Sequence, residues 1–376
     1  MAANGANQRE RMRERPRKGG KPMSKSFVNK VLLGGALAAG AAVWAIAPRT
    51  FSDKRRNYVP AVPDVWYAHR GLHDAGSGLT AQYANESGEY VALARRMAMK
   101  AGYGSPSVAG AIAPENSLAA FAAACEAGYG IELDLQMTAD GEIVVVHDGD
   151  LMRVAGDPRR VADLTYDELT RIPLFPTDAP GAAVAAPLSG SLEKPPLVTT
   201  PDSAPDGYFQ HVPLFADVLK VVAGRVPLIV EYKFDDNSKW GPRDVELMEK
   251  GDALLQAYSG AYVIESFNPA AVNWYKENRP EVCRGQLSWW PQGEEKPSDP
   301  GALAKEYAAG ALIFDWISRP DFVAYDWHGG NSPQVRLARF MGAVPVSWTV
   351  RSRDEYAQCS DQFDRHIFEA FVPDEQ

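Results

Sequence analysis

This 376-residue sequence predicts a parallel α/β barrel of the TIM-type (β/α)8 class, preceded by a membrane segment, and three observations carry that expectation. From Val65 onward, short runs rich in Val, Ile and Tyr alternate with longer stretches of helical periodicity, the rhythm of strand, crossover helix and next strand. Ionisable residues recur at the C-terminal ends of these runs, the end where such barrels carry their chemistry. The composition, 45% hydrophobic and 23% charged with nine tryptophans, supplies enough apolar side chain for one large core.

The strands are expected at residues 65–68, 131–135, 143–146, 228–232, 262–266, 285–288, 322–325, 344–350 and 366–371. These number nine where a closed barrel needs eight, so one must lie outside it. Between the first two, Leu118, Phe121, Ala122 and Cys125 recur at helical spacing after an Asn116/Ser117 cap, and Gly128 ends the helix. Similar patterns predict helices at 215–223, 242–258, 269–278 and 302–316. Within the barrel body, residues 60–376, two stretches break the rhythm and read as insertions. Residues 72–113 contain a helical patch at 90–100; residues 176–207 are dense in Pro, Ala, Ser and Asp. Following barrel strands, both are expected to overhang the site.

The chain carries a net charge of −9, yet Met1–Lys30 holds nine Lys/Arg against two Glu, so the remainder sums to about −16. An acidic body excludes a nucleic-acid partner, which requires a basic face. Cys125, Cys283 and Cys359 are scattered without metal-type spacing and read as buried thiols. Residues 1–30 form a basic cytoplasmic tail leading into residues 31–47, seventeen positions without a charge. That stretch is expected to be a membrane anchor or a cleaved signal segment, with the catalytic body outside the cytoplasm by the positive-inside rule.

Glu132 and Asp134 lie two apart on a strand and so face one side, with Ile131, Leu133 and Leu135 on the other. Two carboxylates on an interior face repel unless a cation sits between them. The Asp140-Gly141 turn follows, and a simple hairpin about it would set Asp134 opposite His147. His69 closes the first strand and His147 the third; both can transfer protons near neutral pH, and Asp148 can orient His147. Glu231 adds a third oxygen ligand for a hard divalent cation. Arg70 and Lys233 can hold a phosphate, and Trp348 on a late strand can stack on the substrate or fill the core.

In order along the chain, Ala68-His69-Arg70-Gly71, Pro114-Glu115-Asn116-Ser117, Gly130-Ile131-Glu132-Leu133-Asp134, Asp140-Gly141, Val146-His147-Asp148, Ala162-Asp163-Leu164-Thr165, Glu231-Tyr232-Lys233, Ser266-Phe267 and Trp348-Thr349-Val350 resemble the motif series of the glycerophosphodiester phosphodiesterase family, from about Val65 to Pro373. The resemblance implies a barrel of the phosphoinositide-phospholipase-C-like type. It implies one divalent cation, Mg2+ or Ca2+, held by Glu132, Asp134 and Glu231, with His69 and His147 as the proton-transfer pair. The implied reaction is hydrolysis of glycerophosphodiesters to glycerol phosphate and an alcohol. Expected substrates are deacylated phospholipids, with lysophospholipids or polyglycerol phosphate as further candidates. Two departures stand out: 42 residues separate Gly71 from Pro114, and the last strand reads Phe368-Glu369-Ala370 where the family commonly has Thr-Asp. A phospholipase-D-type enzyme forming a cyclic phosphate and a catalytically silent membrane-bound protein are the alternatives. Oligomeric state is not legible in the sequence.

Overall fold

The computed structural model describes residues 39–52, 60–176, 208–237, 239–291 and 297–374. Its strands are β1 (Trp66–Ala68), β2 (Gly130–Met137), β3 (Ile143–Val145), β4 (Asp150–Leu151), β5 (Asp157–Arg160), β6 (Leu228–Tyr232), β7 (Tyr262–Ser266), β8 (Arg284–Ser288), β9 (Phe322–Asp326), β10 (Val344–Val350) and β11 (Arg365–Phe368). Eight of them, β1, β2 and β6 to β11, run parallel, and β1 closes the barrel by pairing with both β11 and β2. Strand β3 is the one that lies outside, forming an antiparallel hairpin with the end of β2. Strands β4 and β5 form a small separate ribbon that the periodicity did not reveal, because each is short and polar.

Alternation along the strands builds the interior in layers. Tyr67, Ile229, Val263, Val346 and Ile367 pack together as an apolar floor. Two residues farther along the same strands stand His69, Glu231, Glu265, Trp348 and Glu369. The floor is dense enough to require a missing side chain: a Cβ at Gly285 would fall 2.1 Å from the Phe322 ring. Facing outward, Ile131, Leu133 and Leu135 share the outer core with Ala120, Phe121 and Ala124 of helix Leu118–Ala127. Each of those three buried strand residues contributes roughly 1.5–3 kcal/mol. That helix begins and ends as its sequence predicts, with the Ser117 side chain accepting the Ala120 amide and Gly128 in the left-handed region at φ 81°.

Several expectations change. The helix expected at 302–316 is broken into Pro300–Gly310 and Asp315–Ser318, with Leu312 at φ 58° turning its side chain into the core between them. In the 72–113 insertion the helix is longer than the patch at 90–100, running Ala84–Lys100, and it does not cross the mouth. Tyr90, Val91, Ala94 and Ala98 bury it in the outer core alongside helix Leu118–Ala127. The neck is stapled by Asp74, whose carboxylate accepts the Ile112 and Ala113 amides at 2.8 Å and pairs with Arg95 at 2.8 Å. Only the loop ahead of the helix, around Ser77 and Gly78, reaches the site.

For the other insertion, residues 177–207 lie outside the described residues, as do the basic tail and residues 31–38 of the expected membrane segment. Among the described residues no helix is long and apolar enough to cross a membrane. The segment as drawn from sequence also extends too far. Ala45, Ile46 and Ala47 are buried against the barrel, and Arg319 donates to the carbonyls of Trp44 and Ala47 at 2.7 and 2.8 Å.

Candidate active site

Glu132, Asp134 and Glu231 converge at the C-terminal end of the barrel, each offering a carboxylate oxygen within 4.8 Å of the others. The registry explains it: Asp134 on β2 pairs directly with Glu231 on β6, and Glu132 shares Asp134's face. All three are buried. Strand β7 brings a fourth carboxylate beside them, because Glu231 pairs with Glu265 in parallel register. No motif singled out Glu265, although its inward position follows from Val263 in the floor below.

Crowding of like charge sets the protonation preferences. Burial and repulsion from Asp134 and Glu231 hold Glu132 well above the ordinary carboxylate range. Burial likewise pushes Glu231 up to about 7, against the pull of Lys233. Asp134 goes the other way: burial disfavours its charge, but Lys233, His147 and Arg70 outweigh it and keep its pKa low. Lys233 Nζ stands 2.7 Å from Glu231 and 3.2 Å from Asp134. Arg70 adopts φ 57°, uncommon for a side-chain-bearing residue, and so its amide donates to Glu132 at 3.0 Å. Its guanidinium meets Glu115 at 2.9 Å and Asp134 at 3.5 Å. Thus both cations expected at a phosphate are at the site, already balancing its carboxylates.

The two imidazoles approach the cluster from different elements. His69 Nε2 lies 3.9 Å from Glu132, while its Nδ1 is 2.8 Å from Glu369. Burial would raise the Glu369 pKa, but His69 and Arg351 hold it well below the ordinary range. An ionised carboxylate can only accept, so Nδ1 carries the proton and Nε2 keeps its lone pair toward the cluster. His147 is held likewise, Nδ1 to Asp148 at 2.7 Å, and burial first of all lowers its pKa to about 4. The hairpin expectation is off by one: Val146, whose amide donates to the Asp134 carbonyl, is opposite Asp134. The chain turns after β3, and Gln136 fixes that turn by donating to the carbonyls of Val146, His147 and Asp148 at 2.8–3.0 Å.

Behind the imidazoles runs a network that reading motif by motif missed. Arg153 donates to Asp148 at 2.6 Å and also to Glu115, which accepts Arg70 and the Ser77 amide. Asn116, at φ 55°, donates to Asp134 at 2.8 Å. Glu369, where the sequence departs from Thr-Asp, takes His69, Ser77 and Arg351 at 2.8, 3.0 and 2.6 Å and His73 at 3.4 Å. A Cβ at Gly78, which has φ 78°, would lie 2.6 Å from the Glu369 carboxyl carbon, so only glycine lets the insertion loop close here. Trp348 is half-buried, edge-on to Phe267 at 5.5 Å, with its indole nitrogen buried and without a hydrogen-bond partner among the described residues.

The donor set suits a hard divalent cation. It offers three carboxylates and no sulfur or imidazole within the cluster, and Glu231 Oε1 receives no hydrogen bond among the described residues. Asp134 Oδ1 has only its ion contact with Lys233, without hydrogen-bond geometry. A buried carboxylate cluster with unmatched oxygens is what a cation would complete.

A model of the glycerophosphoryl diester phosphodiesterase family matches residues 108–364. The match starts inside the insertion, so His69 and Arg70 precede it and the fold brings them in. A glycerophosphodiester phosphodiesterase of Caldanaerobacter subterraneus subsp. tengcongensis is 45% identical over 60 residues, 16% of this chain and 25% of that protein. Glycerophosphodiester phosphodiesterase 1 of Bos taurus is 43% identical over 61 residues, 16% of this chain and 18% of that protein. These matches therefore span about a quarter or less of the curated relatives' length. Among solved structures, an Oleispira antarctica phosphodiesterase in complex with the product sn-glycerol-3-phosphate has a TM-score of 0.51 at 15% identity, covering 82% of this chain and 93% of that one. That likeness is one of fold.

Proposed function

Because the chain belongs to the glycerophosphoryl diester phosphodiesterase family, we propose that it hydrolyses glycerophosphodiesters to glycerol phosphate and an alcohol. The observation that carries this reading is the cluster of Glu132, Asp134 and Glu231 oxygens within 4.8 Å of one another, flanked by two imidazoles that each have a carboxylate on Nδ1. Glu132, Asp134 and Glu231 would hold one Mg2+ or Ca2+. Bound there, such an ion supplies compensation of phosphate charge and a lowered pKa for an attacking hydroxyl.

The chain's own residues do the rest. Arg70 and Lys233, already directed at the carboxylates, turn part of their donor capacity to the phosphate oxygens when substrate enters. One imidazole takes a proton on Nε2 and the other delivers one to the departing alkoxide. Glu369 and Asp148 keep both rings in the tautomer that leaves Nε2 available. Trp348 and Phe267 offer an apolar wall to the glycerol or alcohol moiety. The test is turnover of glycerophosphocholine by the full chain with Mg2+, Ca2+ and Mn2+, following release of glycerol phosphate. Absence of turnover with every metal, or unchanged turnover after exhaustive chelation, removes the proposal.

One observation favours a second reading, cleavage of lysophospholipids. Phe234, Trp240 and Trp290 follow strands β6 and β8 at the mouth, and Trp240 and Trp290 are exposed. Aromatic side chains at the rim suit an acyl chain. A cyclic phosphate product from lysolipid, with glycerophosphocholine untouched, would select it.

A further inference from the structure

The exposed large hydrophobic side chains of the described residues fall into an uneven pattern. Four of the eight, Trp44 at 56% exposure, Phe51 at 58%, Trp316 at 44% and Phe340 at 88%, belong to the end of the barrel opposite the active site. Helix Asp315–Ser318 immediately precedes β9, and Phe340 ends the helix Pro333–Phe340 that precedes β10, so both stand where those strands begin. Residues 44–51 join them into one surface. Trp44 stacks on Trp316 at 5.5 Å, the Arg49 amide donates to the Pro320 carbonyl at 3.0 Å, and Thr50 Oγ1 donates to the Met341 carbonyl at 2.9 Å. The Arg319 guanidinium lies 5.0 Å over the Trp44 ring.

We infer that this N-terminal face of the barrel rests on a lipid bilayer, with the four side chains in the interfacial layer and the catalytic mouth turned toward water. Two features identify the occupant. The uncharged stretch 31–44 leads in sequence directly into the patch at Trp44, which favours an apolar partner for this face. The chemistry of the face is also interfacial. Tryptophan and phenylalanine beside arginine are the side chains that seat at lipid headgroup depth, and Lys54, Arg55 and Arg56 follow Phe51 closely in sequence, as contact with anionic lipid favours. A dimer interface would need a self-complementary surface, whereas the basic residues next to this face in sequence suit an anionic partner.

The orientation has a consequence for substrate supply. Glu231 is the fourth residue of β6, three rises or roughly 10 Å beyond the strand's start, and the turns below the strands add to that separation from the lipid. The carboxylate cluster then receives diesters from solution rather than from the leaflet beneath it. The inference concerns placement alone and stands whether or not the site performs the proposed hydrolysis.

The test uses the full chain in a Cys125→Ser background, with an environment-sensitive fluorophore on Phe340→Cys or, at the mouth, on Trp290→Cys. Each is reconstituted with vesicles of phosphatidylcholine and phosphatidylglycerol at 7:3, with and without lipid carrying a nitroxide near the headgroup. At least twofold quenching at position 340 with none at 290 is the expected result. Quenching at 290 alone, or at neither position, overturns the inference. So does a blue shift at 340 that rises with protein concentration in the absence of lipid, which would make the face a contact between copies.

Discussion

Replacing Glu369 with Gln probes how the barrel's last strand controls the first. The side chain is fully buried, and its oxygens accept from Arg351 at 2.6 Å and from His69 at 2.8 Å, with Ser77 at 3.0 Å and His73 at 3.4 Å. A carboxamide has one acceptor where the carboxylate has two. If its oxygen serves Arg351, its NH2 faces His69, and the ring must move its proton to Nε2 to avoid two opposed donors. If the oxygen serves His69, the NH2 faces the guanidinium instead. Either way one charge-assisted bond is lost, worth about 1.5–3 kcal/mol, and in the second arrangement a buried donor is left unmatched for roughly 1–3 kcal/mol more. Arg351 is partly accessible, 31% at its side chain, so the sum belongs near the lower end, about 3 kcal/mol. Urea unfolding followed by tryptophan fluorescence reads that loss. Steady-state turnover of glycerophosphocholine reads the other half: kcat falls by roughly two to four decades with a smaller change in KM, because the lost function is the Nε2 lone pair. Glu369→Asp, which keeps the charge, recovers most of the stability. A Glu369→Gln protein within about 0.5 kcal/mol and twofold of the parent would refute the positioning argument.

His147→Ala lowers turnover by roughly two to four decades while leaving the urea midpoint near the parent's, since its side chain is 32% exposed and closes no core contact. Divalent cation stabilises the parent against heat, by about 2.7 kcal/mol at a hundredfold excess over its dissociation constant, and Glu231→Gln abolishes that shift even where folding persists. Gly78→Ala drives a methyl group into Glu369 and reduces both stability and kcat, measurable in the same two assays. Burial lowers the His366 pKa to about 4, so the unfolded chain binds a proton near 6.5 that the folded chain refuses until about 4. Stability from this site is therefore present above pH 6.5 and is lost as pH falls through that window, by about 3 kcal/mol in full. His366→Gln flattens the dependence of the urea midpoint on pH between 7 and 4.5.

The barrel was legible because its strands alternate an apolar outward side with an inward side, and Glu132 and Asp134 on β2 stand out only when read at period two. The identity of the supernumerary strand was not legible, since periodicity is blind to strand direction; the registry of β3 decides it. Asp134 and His147 were matched one residue out of step because the turn holds three residues, Ala139 to Gly141, between Thr138 and Glu142 rather than the two of Asp140-Gly141, and the register is already shifted at Met137 and Ile143. Glu369 registered as a mismatch with a family pattern, whereas its burial beside His69 turns the mismatch into a support. Glu115 stood in a motif, but its pairing with Arg153 could be found by no local rule, because the link spans 38 residues and exists only in the folded chain. The membrane reading suffered from the opposite limit: absence of charge says nothing about which apolar residues a protein surface will claim, and Ala45 to Ala47 went to the barrel.

Glu115 joins three segments at once, accepting the Ser77 amide from the insertion, Arg70 from the first strand's turn and Arg153 from the short helix Met152–Ala155 that links β4 to β5. The excursion between Gly71 and Pro114 is thereby clamped at its base, by Asp74 on one side and this carboxylate on the other. Its helical arm carries part of that clamp, with Arg95 on Asp74, and packs Tyr90, Val91, Ala94 and Ala98 into the outer core, while the few residues around Ser77 and Gly78 tolerate almost nothing. New recognition can be grafted onto such an arm only along its outward face, at Gly88, Ala92 and Arg96, which are exposed.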